Sequence, residues 1–420
     1  MERLNYFKGS DENDLTRAYL VLLKHSSNVF FTFFEYCRRK HVTTKNELPI
    51  SIIDYLSEGW NIATQKGNSI ISTNFLLSVL ITDNEIQQGS IIESSDRIAI
   101  YDGIITFGES LTVVIENKPR SSKVWIQQLN PSRHNLSNDT TIYSNPAILE
   151  WKEIVKQLSH LISIPIISGY EKLMIDDFLN YVDEYFPFLN PYDKFHECKG
   201  NMELLYRRIH NLLKSIAFDE SKVSYQKGWG YNIDLPYKQI RKVGLILEKD
   251  DKGWWLNLSL FFGNTQSQAI SFYNSRPDIS TLNKDEWDLY PDFHLSFKNS
   301  NLLWLKSKED PNHYIEFWKN NINEIYQQQR NDIEGYIDWL SNENIIDKSR
   351  EFEENLKTKF YNSKMQTLNV CPGFGIICTI TSAKAETLDK TGELEIYLKK
   401  KIFEGLSIIG IEGNEVIKPV

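Results

Sequence analysis

The sequence predicts an α/β N-terminal half followed by an α+β C-terminal half. Three observations carry this expectation. Residues 97–118 alternate like two strands around a turn. Helical periodicities flank them at 11–37 and 147–162. Beyond residue 200, two strand-like runs precede a long polar helical region. At 420 residues the chain has room for two or three domains with separate cores.

Taken in order, residues 11–37 read as one long amphipathic helix. Ser10 or Asp11 can cap it, and Asp11, Glu12 and Asp14 suit its positive end. Leu15, Ala18, Tyr19, Leu22 and Leu23 recur at helical spacing, and Val29 to Phe34 is apolar enough to enter a core. Phe75 to Ile81 fits a buried strand or a buried helix. The hairpin from Arg97 to Lys118 follows, ended by Pro119. Residues 120–146, rich in Ser, Asn, Pro and Thr, read as a loop. A helix from Ala147 to Ile162 carries Trp151, Ile154, Val155, Leu158 and Leu161 on one stripe. Ile162 to Ile167 reads as a buried strand and Glu171 to Phe186 as a helix.

Residues 187–200, with two prolines and mixed charge, mark a boundary between domains 1–187 and 188–420. Met202 to Ile216 looks helical. Strands at Gln239–Leu247 and Trp254–Phe262 join at Asp250-Asp251-Lys252-Gly253. His313 to Lys359 reads as helical with a break near Asn342 to Asn344. Strands at Phe374–Thr381 and Leu406–Ile411 bracket a helix between Glu393 and Phe403.

The composition is that of a globular chain with a net charge of −9. No apolar run approaches the roughly 20 residues that span a bilayer, and Met1-Glu2-Arg3-Leu4-Asn5 lacks the apolar core of a secretory signal, so the expectation is a cytoplasmic protein. Cys37, Cys198, Cys371 and Cys378 are scattered, against a disulfide framework or a zinc ribbon. The acidic total disfavours a simple nucleic-acid binder. Locally the balance reverses: Lys118, Arg120, Lys123 and Arg133 occur with no intervening acid. That stretch and Arg38-Arg39-Lys40-His41 are either solvated loops or, for the first, a surface that meets phosphates. Trp125 and His134 in the loop can stack on bases or fold back on the core.

The chemistry concentrates at Asp102, Glu116 and Lys118. Glu116 and Lys118 leave one face of an apolar strand while Val113 and Ile115 leave the other. A divalent cation held by Asp102 and Glu116 would neutralise the acids, leaving Lys118 to steady a water or a phosphate. The alternative is a strand-end lysine paired with Glu116 or Asp102.

Asp102, fourteen positions before Glu116-Asn117-Lys118, lies in the order helix, hairpin, basic loop, helix, strand. Over residues 1–185 this resembles the PD-(D/E)XK nuclease superfamily. The resemblance implies a restriction-endonuclease-like core, a mixed sheet flanked by helices. It also implies a Mg²⁺ site, open to Mn²⁺, with Asp102 and Glu116 as ligands and the Asn117 carbonyl completing the set. Glu12 matches the acid that many members place beside the metal, though an acid in a first helical turn also suits the helix dipole alone. Gln157 matches a glutamine that some branches carry on the next helix, although the tyrosine that often follows it is Leu161 here, and Gln157 could simply be exposed. Tyr101 stands where the first motif commonly has proline.

The resemblance implies a nuclease acting on DNA in preference to RNA, with Arg120, Lys123 and Arg133 on the nucleic acid. Such proteins often resemble effectors of bacterial anti-phage defence. The second half then recognises a trigger, binds a partner protein or mediates self-association. The alternatives are a regulatory relative with a retired site and a site-specific restriction enzyme.

Overall fold

The computed structural model describes residues 6–42, 59–66, 72–84, 91–92, 100–120, 124–125, 136, 139–142, 146–164, 167–297, 301–305, 307, 310–324 and 328–419. The chain divides into two compact units, Met1–Asp193 and Lys194–Val420. Among the described residues, no helix is long and apolar enough to cross a membrane.

The first unit runs α1 (Glu12–His25), α2 (Ser27–Val42), β1 (Trp60–Lys66), β2 (Phe75–Ile81), β3 (Ile91–Ile92), β4 (Tyr101–Phe107), β5 (Leu111–Asn117), β6 (Val124–Trp125), β7 (Thr141–Ile142), β8 (Ala147–Leu149), α3 (Trp151–Ser163) and α4 (Gly169–Tyr185). The main sheet is mixed, in the order β1-β4-β5-β2-β7, with β8 also on β2. β1, β4 and β5 pair antiparallel, whereas β2 runs parallel to β5, β7 and β8. Every residue of β5 is buried, and so is β2 beyond Phe75. A nearly continuous apolar run, broken here only by Ser78, is what a strand covered on both faces shows, and Phe75–Ile81 is a strand. β3 and β6 form a separate short pair, so the 120–146 stretch carries brief strands among its described residues.

Three expectations need correction here. The 11–37 helix is two helices. Ser26 turns to φ −125°, ψ 109°, its Oγ donates to Glu171 Oε1 at 2.9 Å, and the same Oγ accepts the Val29 N–H at 3.3 Å. A side chain from α4 thereby fixes where α1 stops and α2 starts. The helix placed from Ala147 starts at Trp151, because Ala147–Leu149 pair with Val79–Ile81. Ile162 and Ser163 end α3, so the strand placed at 162–167 is not formed among its described residues.

The helices cover the sheet with a core of Leu15, Tyr19, Leu22, Phe30, Phe33, Phe34, Trp151, Val155 and Leu158. Tyr19 meets Trp151 edge-on at 5.3 Å between centroids. A second cluster gathers Leu76, Tyr101, Ile104, Val114 and Leu136.

The second unit contains α5 (Met202–Ile216), β9 (Val223–Gln226), β10 (Gly230–Asp234), β11 (Lys242–Asp250), β12 (Gly253–Phe262), α6 (Gln266–Asn274), β13 (Asp288–Phe297), β14 (Asn301–Leu305), α7 (Pro311–Asn321), β15 (Gln328–Gln329), α8 (Ile333–Asn342), α9 (Arg350–Asn355), β16 (Thr367–Thr381), α10 (Ser382–Thr391) and α11 (Leu394–Ser407). Its antiparallel sheet has the order β14-β13-β16-β12-β11-β10-β9. The β11–β12 turn forms as its residues predict: Asp250 Oδ1 accepts the N–H groups of Lys252 and Gly253, and Gly253 holds a positive φ of 144°. The helical region 313–359 breaks where expected, at Asn344, which adopts φ 58°, and is interrupted once more by β15. The strand placed at Leu406–Ile411 is not formed: α11 continues to Ser407 and buries Leu398, Ile402 and Leu406 at helical spacing.

Candidate active site

The site is built where the β4–β5 ladder ends. The last paired residues are Gly103 and Ile115. One step on, Asp102 and Glu116 occupy opposed positions, and Asp102 Oδ2 accepts the backbone N–H of Asn117 at 2.9 Å. Gly103 faces Leu20 of α1. A Cβ there would stand 2.8 Å from Leu20 Cδ1, so a larger residue would force that side chain to move.

The close approach carries Glu12, in the first turn of α1, to the strand end. Lys118 Nζ lies 2.8 Å from Glu116 Oε1 and 3.2 Å from Glu12 Oε1. Glu116 is 1% exposed, whereas the Glu12 side chain is 42% exposed. The lysine therefore links an interior carboxylate to one at the surface.

Burial pushes the Glu116 carboxyl up to about 7, Asp102 adding to the rise and Lys118 opposing it. Burial likewise raises Asp102, against the Asn117 N–H and Lys118. Burial also pulls the Lys118 ammonium down, but Glu116, Glu12 and Asp102 outweigh it and hold it above the ordinary lysine value. The cluster is a set of acids short of positive charge.

The structure thus brings Glu12, Asp102, Glu116, Asn117 and Lys118 together. Gln157 is occupied elsewhere: its Nε2 donates to Glu153 Oε1 at 3.2 Å, one turn earlier on α3. Arg120 is exposed and lies over the rings of Phe186 and Phe188, 5.9 and 5.2 Å from their centroids. Lys123, Arg133 and His134 lie outside the described residues. The second basic run stays at the surface and is engaged locally, with Arg38 on Glu35, Lys40 on Glu150 and Arg39 over the Tyr36 ring.

Sequence reasoning gave Asn117 only a carbonyl. Its side chain makes three hydrogen bonds, two of them buried, one of these from the indole N–H of Trp151 at 2.8 Å. Trp151 reads as part of an apolar stripe. The signal that was available is that a buried indole N–H needs an acceptor.

The donors suit a hard cation. Carboxylate oxygens are the preferred ligands of Mg²⁺, which keeps several waters and needs few protein ligands. A positive charge here would relieve the desolvation that holds the proton on Glu116. Among the described residues no three His, Cys, Asp or Glu side chains converge into a ready ligand group. In this arrangement Lys118 Nζ stands between Glu12 and Glu116. No family model, curated protein or solved structure matches the chain.

Proposed function

We propose that the chain is a Mg²⁺-dependent nuclease of the PD-(D/E)XK type, its first unit a restriction-endonuclease-like core. One observation carries the reading: Lys118 Nζ is held between buried Glu116 and half-exposed Glu12 while Asp102 is anchored to the same strand end. An ion pair that served stability alone would gain little from a buried carboxylate pushed up to about 7.

In this proposal Asp102 and Glu116 would hold the metal, with Glu12 as a further candidate carboxylate. When bound, Mg²⁺ supplies Lewis-acid relief of charge on the scissile phosphate. Lys118, released in part from Glu116, orients the attacking water and donates a hydrogen bond to it. The Asn117 N–H holds the Asp102 carboxylate at the strand end, and exposed Arg120, two residues past Lys118, would meet the nucleic-acid backbone. We further propose a cytoplasmic effector of bacterial anti-phage defence that cuts DNA in preference to RNA. The second unit then serves for recognition, partner binding or self-association.

The test is cleavage of DNA and RNA with Mg²⁺ or Mn²⁺, blocked by EDTA. Glu116→Ala and Lys118→Ala should each lower the rate by about 10²-fold or more with folding intact. Variants that cut as fast as the parent would remove the site assignment, and no metal-dependent cleavage of any polymer would leave the retired-site reading in its place.

A further inference from the structure

We infer that the Asn117 side chain is a positioning residue that holds Glu12 on Lys118; the inference rests on the nuclease reading for its kinetic consequence alone. Asn117 has no solvent exposure. Its Nδ2 donates to the Glu12 carbonyl at 3.2 Å and to Thr16 Oγ1 at 2.8 Å, while Oδ1 accepts from Trp151 Nε1 at 2.8 Å. A carbonyl can only accept and an indole N–H can only donate, so the orientation of the amide is fixed by its partners.

The bonds converge on one point. Thr16 Oγ1 also donates to the Glu12 carbonyl, at 2.8 Å, so amide and hydroxyl together grip the carbonyl that opens α1. That carbonyl belongs to the residue whose carboxylate reaches Lys118. On the other side, Trp151 is the first residue of α3. One amide therefore ties the strand end to the starts of two helices. Its main chain and side chain divide the work, the N–H setting Asp102 and the amide setting Glu12.

Packing alone does not call for an asparagine here. An apolar residue would fill an interior position without the desolvation an amide incurs. Aspartate would keep the acceptor for Trp151 and lose both donors. Asparagine presents donors to α1 and an acceptor to α3 from a neutral group, leaving the charge balance of Glu116 and Lys118 untouched.

The test combines kinetics with a signal that needs no turnover. Asn117→Ala, Trp151→Phe and Glu12→Ala are made singly, and the first two also in the Glu12→Ala background. Asn232→Ala, which removes a buried asparagine from the second unit, controls for stability loss. Asn117→Ala should lower kcat about 10-fold while changing KM less than about twofold, and should cost less than about twofold further once Glu12 is gone. Asn232→Ala should lower Tm and keep kcat. Trp151→Phe removes one of the three bonds, retains the ring, and reports if Asn117→Ala does not fold. In parallel, the ¹⁵N-lysine Nζ resonance of Lys118 should move in Asn117→Ala and Trp151→Phe as Glu12 withdraws.

Full additivity with Glu12→Ala, or lower Tm with unchanged kcat and an unmoved Lys118 resonance, overturns the inference. If the parent cuts no nucleic acid but the resonance moves as expected, the positioning role stands and the nuclease reading falls.

Discussion

Asp102 completes the β4–β5 ladder with its side chain: its Oδ2 takes the N–H of Asn117 at 2.9 Å, one residue past the last backbone pair. The carboxylate has one oxygen committed to the fold and the other free of that bond. Asp102→Asn keeps an acceptor for the N–H, so stability should change by less than about 1 kcal/mol. Cleavage should still fall by about 10²-fold, because the charge is gone. Asp102→Ala orphans the N–H and should cost a further 1–3 kcal/mol, roughly. Urea unfolding of the two variants beside single-turnover cleavage separates the two roles.

Glu116 gives a pH signature. Its folded carboxyl is pushed up to about 7, chiefly by burial, from an ordinary 4.5. The folded chain therefore holds a proton that the unfolded chain has released between these values. Without metal, this contribution is fully present below 4.5 and is lost as pH rises through 7, on the order of 3 kcal/mol in all. Glu116→Gln should flatten that slope. The stabilisation conferred by Mg²⁺ should run the opposite way and grow with pH, since ligation requires the ionised carboxylate. Thermal unfolding from pH 5 to 8, with Mg²⁺ and with EDTA, checks both signs.

Ser26 and Glu171 form a joint between the first and last helices of the unit. Burial would raise Glu171, but hydrogen bonds from Ser26, Asn28 and Ser168 outweigh it and lower its pKa. A depressed carboxylate stabilises above its unfolded pKa of 4.5, and that share is lost as pH falls through the folded value. Ser26→Ala should cost about 1–2 kcal/mol, having removed both a cap and a partner of Glu171. Chemical denaturation at pH 7 measures it, and Ser26→Gly should cost less than Ser26→Ala.

In the second unit, burial lowers His294 to about 4 and raises its neighbour Asp292 to about 6. As pH falls from 6.5 toward 4, the unfolded chain gains a proton that folded His294 refuses, and stability is lost. As pH falls from 6 toward 3.8, folded Asp292 gains a proton that the unfolded chain does not, and stability is recovered. Each effect is at most about 3 kcal/mol. His294→Gln should make the protein more acid-resistant and Asp292→Asn more acid-sensitive, read by urea unfolding at pH 4 and 7.

The parts of the fold legible in sequence are those specified locally. β5 shows in its apolar run, its turn in Gly108, which adopts φ 49°, and the β11–β12 turn in Asp250 and Gly253. Features set by distant partners were not legible. The α1–α2 break depends on Glu171, 145 residues away, and β8 is a strand because β2 is there to pair with it. The run Leu406–Ile411 is too short to distinguish strand from helix by periodicity, and continuity with α11 decides it. At the site, Asp102, Glu116 and Lys118 stand out as charges on an apolar strand. The amide of Asn117 does not: alternation puts it on the Val113 and Ile115 face, but only the partners on α1 and α3 show what its side chain bonds to.

The joint at Ser26 also bears on how the protein is made. Glu171 reaches back 145 residues to Ser26, and Asp177 of the same helix takes the N–H of Tyr6, 171 residues away, at 2.7 Å. During synthesis the first helices leave the ribosome long before α4 exists to cap one joint and anchor the chain ahead of α1. A nascent chain ending before residue 171 has β4 and β5 but lacks the partners that α4 gives to Ser26 and Tyr6. The joint between α1 and α2 and the tie at Tyr6 therefore close only after the last helix of the unit has been translated.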